Sequence, residues 1–120
     1  MRTLLRWKRQ WGGSDRIVWV VVSKLDAAWK RDGTFYLPTH THDYKYLRFD
    51  AWIGLNASTE KVEMPHVGVH EGVASFSDGR HRFAWFRDHG VKAMPVTTCG
   101  ASQIREIRRA FESRSRKCFL

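Results

Sequence analysis

The chain has 120 residues, 42% hydrophobic and 28% charged, a balance that suits one globular domain and leaves no room for two independent cores. Its longest apolar run, Ile17 to Val22, has six residues, far short of the roughly 18 that a membrane span requires. Lys and Arg number 21 against 12 Asp and Glu, a net charge of +9, and the excess sits at the ends: +4 over residues 1–14, +4 over 101–120 and +1 between. Basic ends suit a polyanion, either nucleic-acid phosphate or an acidic protein surface, and otherwise serve as a solvated face. The Arg-rich start has no apolar stretch of the secretory kind, which predicts a cytoplasmic protein without membrane insertion. Two cysteines, Cys99 and Cys118, are too few for a disulfide framework and read as free thiols.

Residues 1–14 read as a loose basic arm closed by Gly12-Gly13-Ser14. Its RWKRQW stretch, with Trp7 and Trp11, could stack on single-stranded bases, lie on a membrane surface or pack back on the domain. Arg16 to Ser23 is a β-branched run of strand length. Leu25 to Lys30 reads as a short helix stopped by Asp32-Gly33, and Phe35-Tyr36-Leu37 as a short extended piece. Asp43 can cap a helix to about Ile53, with Tyr44, Leu47, Ala51 and Leu55 as its inward stripe and Trp52 flanking. Glu60 to Val69 reads as a strand broken at Pro65. Val73 to Phe76 is a strand, Ser77-Asp78-Gly79 a turn, and Arg80 to Asp88 a helix capped by Asp78 and closed by Gly90. Val91 to Thr98 is a further strand. Ser102 would cap a last helix with Ile104, Ile107 and Phe111 inward. Trp19, Trp29, Trp52 and Trp85 read as core or half-core. Together these predict an α+β domain over residues 15–117, with a small mixed sheet, flanking helices and a tail at 118–120.

The stretch from Phe76 to Val96 is the chemically informative one. A strand, a glycine turn and a helix N-terminus offer free backbone N–H groups and a favourable dipole to an anion. Arg80, His81 and Arg82 crowd the first helical turn, where cations oppose that dipole unless an anion is bound; the plainer reading is surface charge on an amphipathic helix. Flanking arginines disfavour the charged form of His81, leaving an imidazole able to act as general base or donor. His40 and His42 beside Asp43 could hold a divalent metal provided the pair meets a third ligand, and His66 and His70, which span a Pro and a Gly, are not a helical pair; no metal ligand set is assigned. A Mg²⁺ accompanying a nucleotide would use Asp78 or Asp43. On the last helix Arg105, Arg108 and Arg109 should face outward, and Arg116 and Lys117 extend that charge as a nucleic-acid-binding surface.

Asp78-Gly79-Arg80-His81-Arg82-Phe83-Ala84, followed by Gly90 and Met94-Pro95-Val96 and preceded by Met64-Pro65, resembles the signature of the ParB/sulfiredoxin superfamily over residues 60–98. Within it the stretch is most similar to the plasmid fertility-inhibition factors, the Osa and FiwA group, which also tend to begin with a Trp-bearing strand and a Trp-bearing helix, as Trp19 and Trp29 do more loosely here. The resemblance implies a compact ParB/sulfiredoxin-like domain in a bacterial, plasmid-encoded protein that interferes with conjugative DNA or protein transfer. It implies a nucleotide- or DNA-phosphate loop at Gly79, Arg80, His81 and Arg82, and weak ATPase or nuclease activity with His81 and Asp78 as catalytic residues. The implied cofactor is ATP or another nucleotide with Mg²⁺; the partners are nucleic acid and a conjugation or secretion protein. Arg80 stands where sulfiredoxins carry their catalytic Cys, so sulfinic-acid reduction is excluded. The chain is also too short for the helix-turn-helix and dimerisation domains of ParB. The alternative is a non-enzymatic basic protein that occupies an acidic secretion-machinery or DNA-binding partner.

Overall fold

A computed structural model describes residues 2–10, 15–41 and 43–120; Trp11, Gly12-Gly13-Ser14 and His42 lie outside the described residues. The elements in order are β1 (Arg6–Lys8), β2 (Arg16–Val21), α1 (Val22–Lys30), α2 (Tyr44–Asn56), β3 (Lys61–Glu63), β4 (His66–His70), β5 (Val73–Asp78), α3 (Arg80–Asp88), β6 (Ala93–Thr98) and α4 (Ala101–Phe111). Four strands form a mixed sheet in the order β2-β6-β4-β5, and β1 with β3 forms a second, two-stranded sheet. The fold is α+β, as the sequence predicts.

Strand β6 is the spine. It pairs antiparallel with β2 from Arg16↔Thr98 to Val21↔Ala93, and all six of its residues are buried. Pro95 sits mid-strand without an N–H to give. The Thr97 amide points toward β4 and donates to Pro65 O at 2.9 Å, so by alternation the Pro95 nitrogen faces the same side. There β4 pairs with β6 only at His66↔Thr97, so the missing donor falls where the ladder has already parted. On the other side of that single pairing the Val69 peptide is met by Gln103, whose Oε1 accepts from Val69 N at 2.6 Å and whose Nε2 donates to Val69 O at 2.8 Å. Glu71 and Gly72, both at positive φ (51° and 78°), close the β4–β5 hairpin in the two-residue manner that matches strand twist.

Two aromatic groups fill the core. Trp29 packs edge-on against Tyr36, Phe76 and Phe83. Phe49, Trp85, Phe86 and Trp7 form the other. Phe83 and Phe86 are fully buried. Between the groups runs a charged knot. Arg87, with its side chain 7% exposed, reaches Asp26 at 3.1 Å, Asp88 at 3.0 Å and Leu37 O at 2.6 Å. Its guanidinium lies over Trp29 and Tyr36. Burial works against that charge, but the hydrogen bonds to Asp88 and Asp26 outweigh it and hold Arg87 above its ordinary value. Tyr46 also donates to Asp88, at 2.8 Å.

Several expectations need correction. Residues 2–10 of the N-terminal arm are not loose: β1 pairs parallel with β3, Leu5 is buried, and Thr3 exchanges backbone hydrogen bonds with Leu120. The tail is therefore tied down too. Of the readings open for Trp7, packing back on the domain is the one observed: it lies against Phe86. Helix α2 is turned over: Tyr44, Leu47 and Leu55 are exposed, and Tyr46 and Ile53 are buried. Both stripes are apolar at helical spacing, and tertiary bonds choose between them: Tyr46 to Asp88 and Asp50 to the Trp85 indole, each 2.8 Å. The N-cap of α3 is Gly79, not Asp78, because the Asp78 carboxylate is taken by Arg82. Gly100, not Ser102, caps α4.

Candidate functional site

The turn from β5 into α3 opens onto a cleft of about 560 Å³, within the usual range for ligand sites. Gly79 is at φ +82°, a left-handed conformation that glycine adopts at little cost. A side chain there would meet Pro65 Cα at 2.8 Å and Arg82 Nη2 at 2.8 Å. Arg82 is clasped in place: its Nε donates to Glu63 O at 3.1 Å and its Nη2 to Asp78 Oδ2 at 2.9 Å. Helix α3 has no side-chain cap, so no side chain occupies the first-turn amides that an anion would use.

His81 lines the cleft with its side chain 11% exposed, and its Nε2 is 3.0 Å from Asp43 Oδ1; that contact is off the line of a hydrogen bond. Burial lowers the His81 pKa against the pull of Asp43, and Arg80 lowers it further. Both effects favour the neutral ring. The Asp43 pKa is lowered as well, chiefly because its side chain accepts from the Lys45 amide as the α2 N-cap, which favours the ionised carboxylate. A neutral imidazole beside a firmly ionised carboxylate can accept a proton.

The other walls come from elements distant in sequence. Helix α2 supplies Lys45, Arg48, Phe49 and Trp52; β1 supplies Lys8 and β3 supplies Lys61 and Glu63. Phe49 and Trp52 stack with ring centres 5.9 Å apart. Among the described residues, Lys8, Lys45, Arg48 and Lys61 make no ion pair. Four unpaired cations beside a stacked aromatic wall can hold phosphate oxygens and cover a base face.

The predicted loop residues are thus divided. Asp78, Gly79, His81 and Arg82 share the cleft. Arg80 does not line it; its guanidinium donates to Phe35 O at 3.0 Å and lies over the Phe35 ring. Arg105, Arg108, Arg109, Arg116 and Lys117 are all exposed, away from the cleft lining, and Arg108 has Glu112 at 3.8 Å. Ile104, Ile107 and Phe111 are buried, as their spacing predicts. Sequence reasoning missed Lys8, Lys45, Arg48, Phe49 and Lys61. The legible signal was Lys45, Arg48 and Trp52 at helical spacing on one face. Lys8 and Lys61 come together only through β1–β3 pairing.

The fold and cleft define the class: a small α+β domain with a basic, aromatic-walled cleft at a strand–glycine–helix turn. The family model of the plasmid fertility inhibition factors matches residues 17–110, most of the chain, and the protein belongs to that family. Its fold is similar to that of Oncogenic Suppression Activity Protein, a plasmid fertility inhibition factor solved as a gold(I) cyanide derivative. The TM-score is 0.75 at 21% identity, over 91% of this chain and 62% of that one. The chain thus spans under two thirds of that relative's length, and at this identity the likeness is one of fold. No curated protein matches the chain. No helix among the described residues is long and apolar enough to cross a membrane.

Proposed function

We propose that this protein interferes with conjugative transfer by gripping nucleic-acid or nucleotide phosphate in the cleft at the Asp78-Gly79 turn. The observation that carries the reading is the set of four unpaired cations, Lys8, Lys45, Arg48 and Lys61, around the stacked Phe49 and Trp52. The amides after Gly79 would take a phosphate oxygen, the cations neighbouring phosphates, and the rings a base or adenine face. Arg82 positions the turn by holding Asp78 and the Glu63 carbonyl. The ATPase or nuclease activity implied by the resemblance to the Osa and FiwA group would use His81 as base. Asp78 is committed to Arg82, so Mg²⁺ would arrive on the nucleotide's own phosphates and meet Glu63 at the cleft wall. The basic face of α4 would extend contact along longer nucleic acid.

The second reading, a non-enzymatic protein that occupies a conjugation or secretion partner, is favoured by the outward stripe of α2. Tyr44 is 74% and Leu55 83% exposed, more apolar surface than one small helix face needs. Titration of labelled protein with inorganic phosphate, Mg²⁺–ATP and a short single-stranded oligonucleotide, followed by amide shifts, separates the two. Shifts centred on residues 79–82, Lys45, Arg48 and Lys61 support the cleft. Shifts elsewhere, or none together with no phosphate release, favour the docking protein.

A further inference from the structure

Three strands of the main sheet end at one edge, and the side chains there meet. β2 and β6 pair as far as Arg16↔Thr98, so Asp15 and Cys99 flank the open end of that ladder. β4 joins at His66↔Thr97. Alternation along β6 puts Thr97 and Cys99 on the same face, and cross-strand partners share a face, so His66 and Asp15 stand there as well. One ligand atom from each of Asp15, His66 and Cys99 falls within 4.8 Å of the others. His66 Nδ1 is 3.7 Å from Asp15 Oδ2 and 2.8 Å from Thr97 Oγ1. The Asp15 and His66 side chains are largely covered, at 17% and 14% exposure, whereas Cys99 is exposed.

We propose that Asp15, His66 and Cys99 form a zinc site with a fourth position open to water. A thiolate, an imidazole and a carboxylate are the donors zinc favours, and hard cations such as Mg²⁺ and Ca²⁺ avoid sulfur. Bonds of about 2.0–2.3 Å in a tetrahedron set ligand atoms roughly 3.3–3.8 Å apart, so side-chain rotation of about 1 Å closes the site. Zinc at the Nδ1 that faces Asp15 would displace its contact with Thr97 Oγ1, whose hydroxyl keeps Pro65 O, 3.5 Å away, as an acceptor. Cys118 cannot compete: it is 2% exposed, and burial pushes its thiol up to about 12. None of the three ligands lines the cleft, so the proposal stands apart from the phosphate reading. It does neighbour it, because His66 pairs across the sheet with Asp78, the last residue before the Gly79 turn. Zinc would pin the strand ends from which that turn leaves.

The test uses the untagged, reduced, chelator-stripped full chain with Co²⁺ as the probe and Zn²⁺ as competitor. The expected result is one Co²⁺ per chain, with thiolate-to-cobalt charge-transfer absorption that Zn²⁺ displaces. Cys99→Ser loses that absorption; Asp15→Asn and His66→Gln weaken binding by at least about tenfold, a loss that outer-shell changes alone can already cause. Cys118→Ser changes nothing. In the wild-type chain, saturating Zn²⁺ slows alkylation of Cys99, a readout that needs no variant to fold. A cobalt spectrum without thiolate character, a thiolate band that survives Cys99→Ser, or alkylation unaffected by Zn²⁺ overturns the proposal.

Discussion

Replacing Gly79 by Ala tests the turn on which the cleft depends. Two independent terms follow from the structure. The backbone there is at φ +82°, which costs an L-residue about 1–2 kcal/mol. The new methyl would lie 2.8 Å from Pro65 Cα and 2.9 Å from Pro65 Cβ. Pro65 is buried and held between β3 and β4, so it cannot swing aside, and overpacking of this kind costs roughly 1–3 kcal/mol more. The sum of about 2–5 kcal/mol, at roughly 4 °C per kcal/mol for a domain of this size, lowers Tm by about 8–20 °C. Gly90→Ala is the internal control. It has φ +75° with nothing within 4 Å, so it carries only the conformational term, about 1–2 kcal/mol or roughly 4–8 °C. Thermal melts of the three proteins decide the matter. Equal shifts for Gly79→Ala and Gly90→Ala, or a Gly79→Ala melt within the Gly90→Ala range, would refute the close approach of Pro65.

Other expectations can be checked alongside it. Arg87→Met leaves Asp26 and Asp88 without their cation, and uncompensated buried charge of this kind destabilises by about 3–5 kcal/mol, readable by denaturant unfolding; a change under about 1 kcal/mol would contradict the buried knot. Because the His81 pKa in the folded state is lowered, the unfolded chain binds the extra proton first, and stability falls as pH drops below about 6.5 until the folded ring also protonates. Melts between pH 7 and 5 should therefore show a shallower loss in His81→Asn than in wild type, while the lowered Asp43 pKa acts only below the ordinary carboxylate range. The triple change of Lys45, Arg48 and Lys61 to Gln should flatten the slope of log affinity against log salt for a short single-stranded oligonucleotide by about 2, at roughly 0.7 per lost contact. Changing Arg105, Arg108 and Arg109 to Gln should flatten it by roughly 2–3 on duplex DNA, at about 0.9 each, without altering sequence preference.

Local signals that agreed with one another were legible in the sequence. The β-branched run of β2, the Asp43 cap, the Pro65 break and the glycines flanking α3 each named one conformation, and the segment from 73 to 98 formed as strand, turn, helix and strand. What failed were choices that only tertiary partners decide. Helix α2 carries two apolar stripes, and Asp88 and Trp85 select the one that faces in. The first residues looked like a loose arm because three residues of β1 have no stability alone; β3 and the tail supply the missing pairing. Half of the cleft was visible in Asp78-Gly79-Arg80-His81-Arg82 because a turn and a helix start are local features. Lys8 and Lys61 were invisible because they approach only through a parallel pairing across more than fifty residues. Arg80 looked equivalent to Arg82, yet Phe35 draws it away.

The most direct test of the whole account is a mating experiment. A donor strain expressing this chain, or its Lys45, Arg48 and Lys61 to Gln variant, is scored for plasmid transfer frequency, with the variant first shown to be folded and equally abundant. Wild-type protein should depress transfer, and the variant should restore most of it. Undiminished inhibition by the folded variant would contradict a mechanism that runs through the cleft and would place the activity on another surface, the exposed stripe of α2 first.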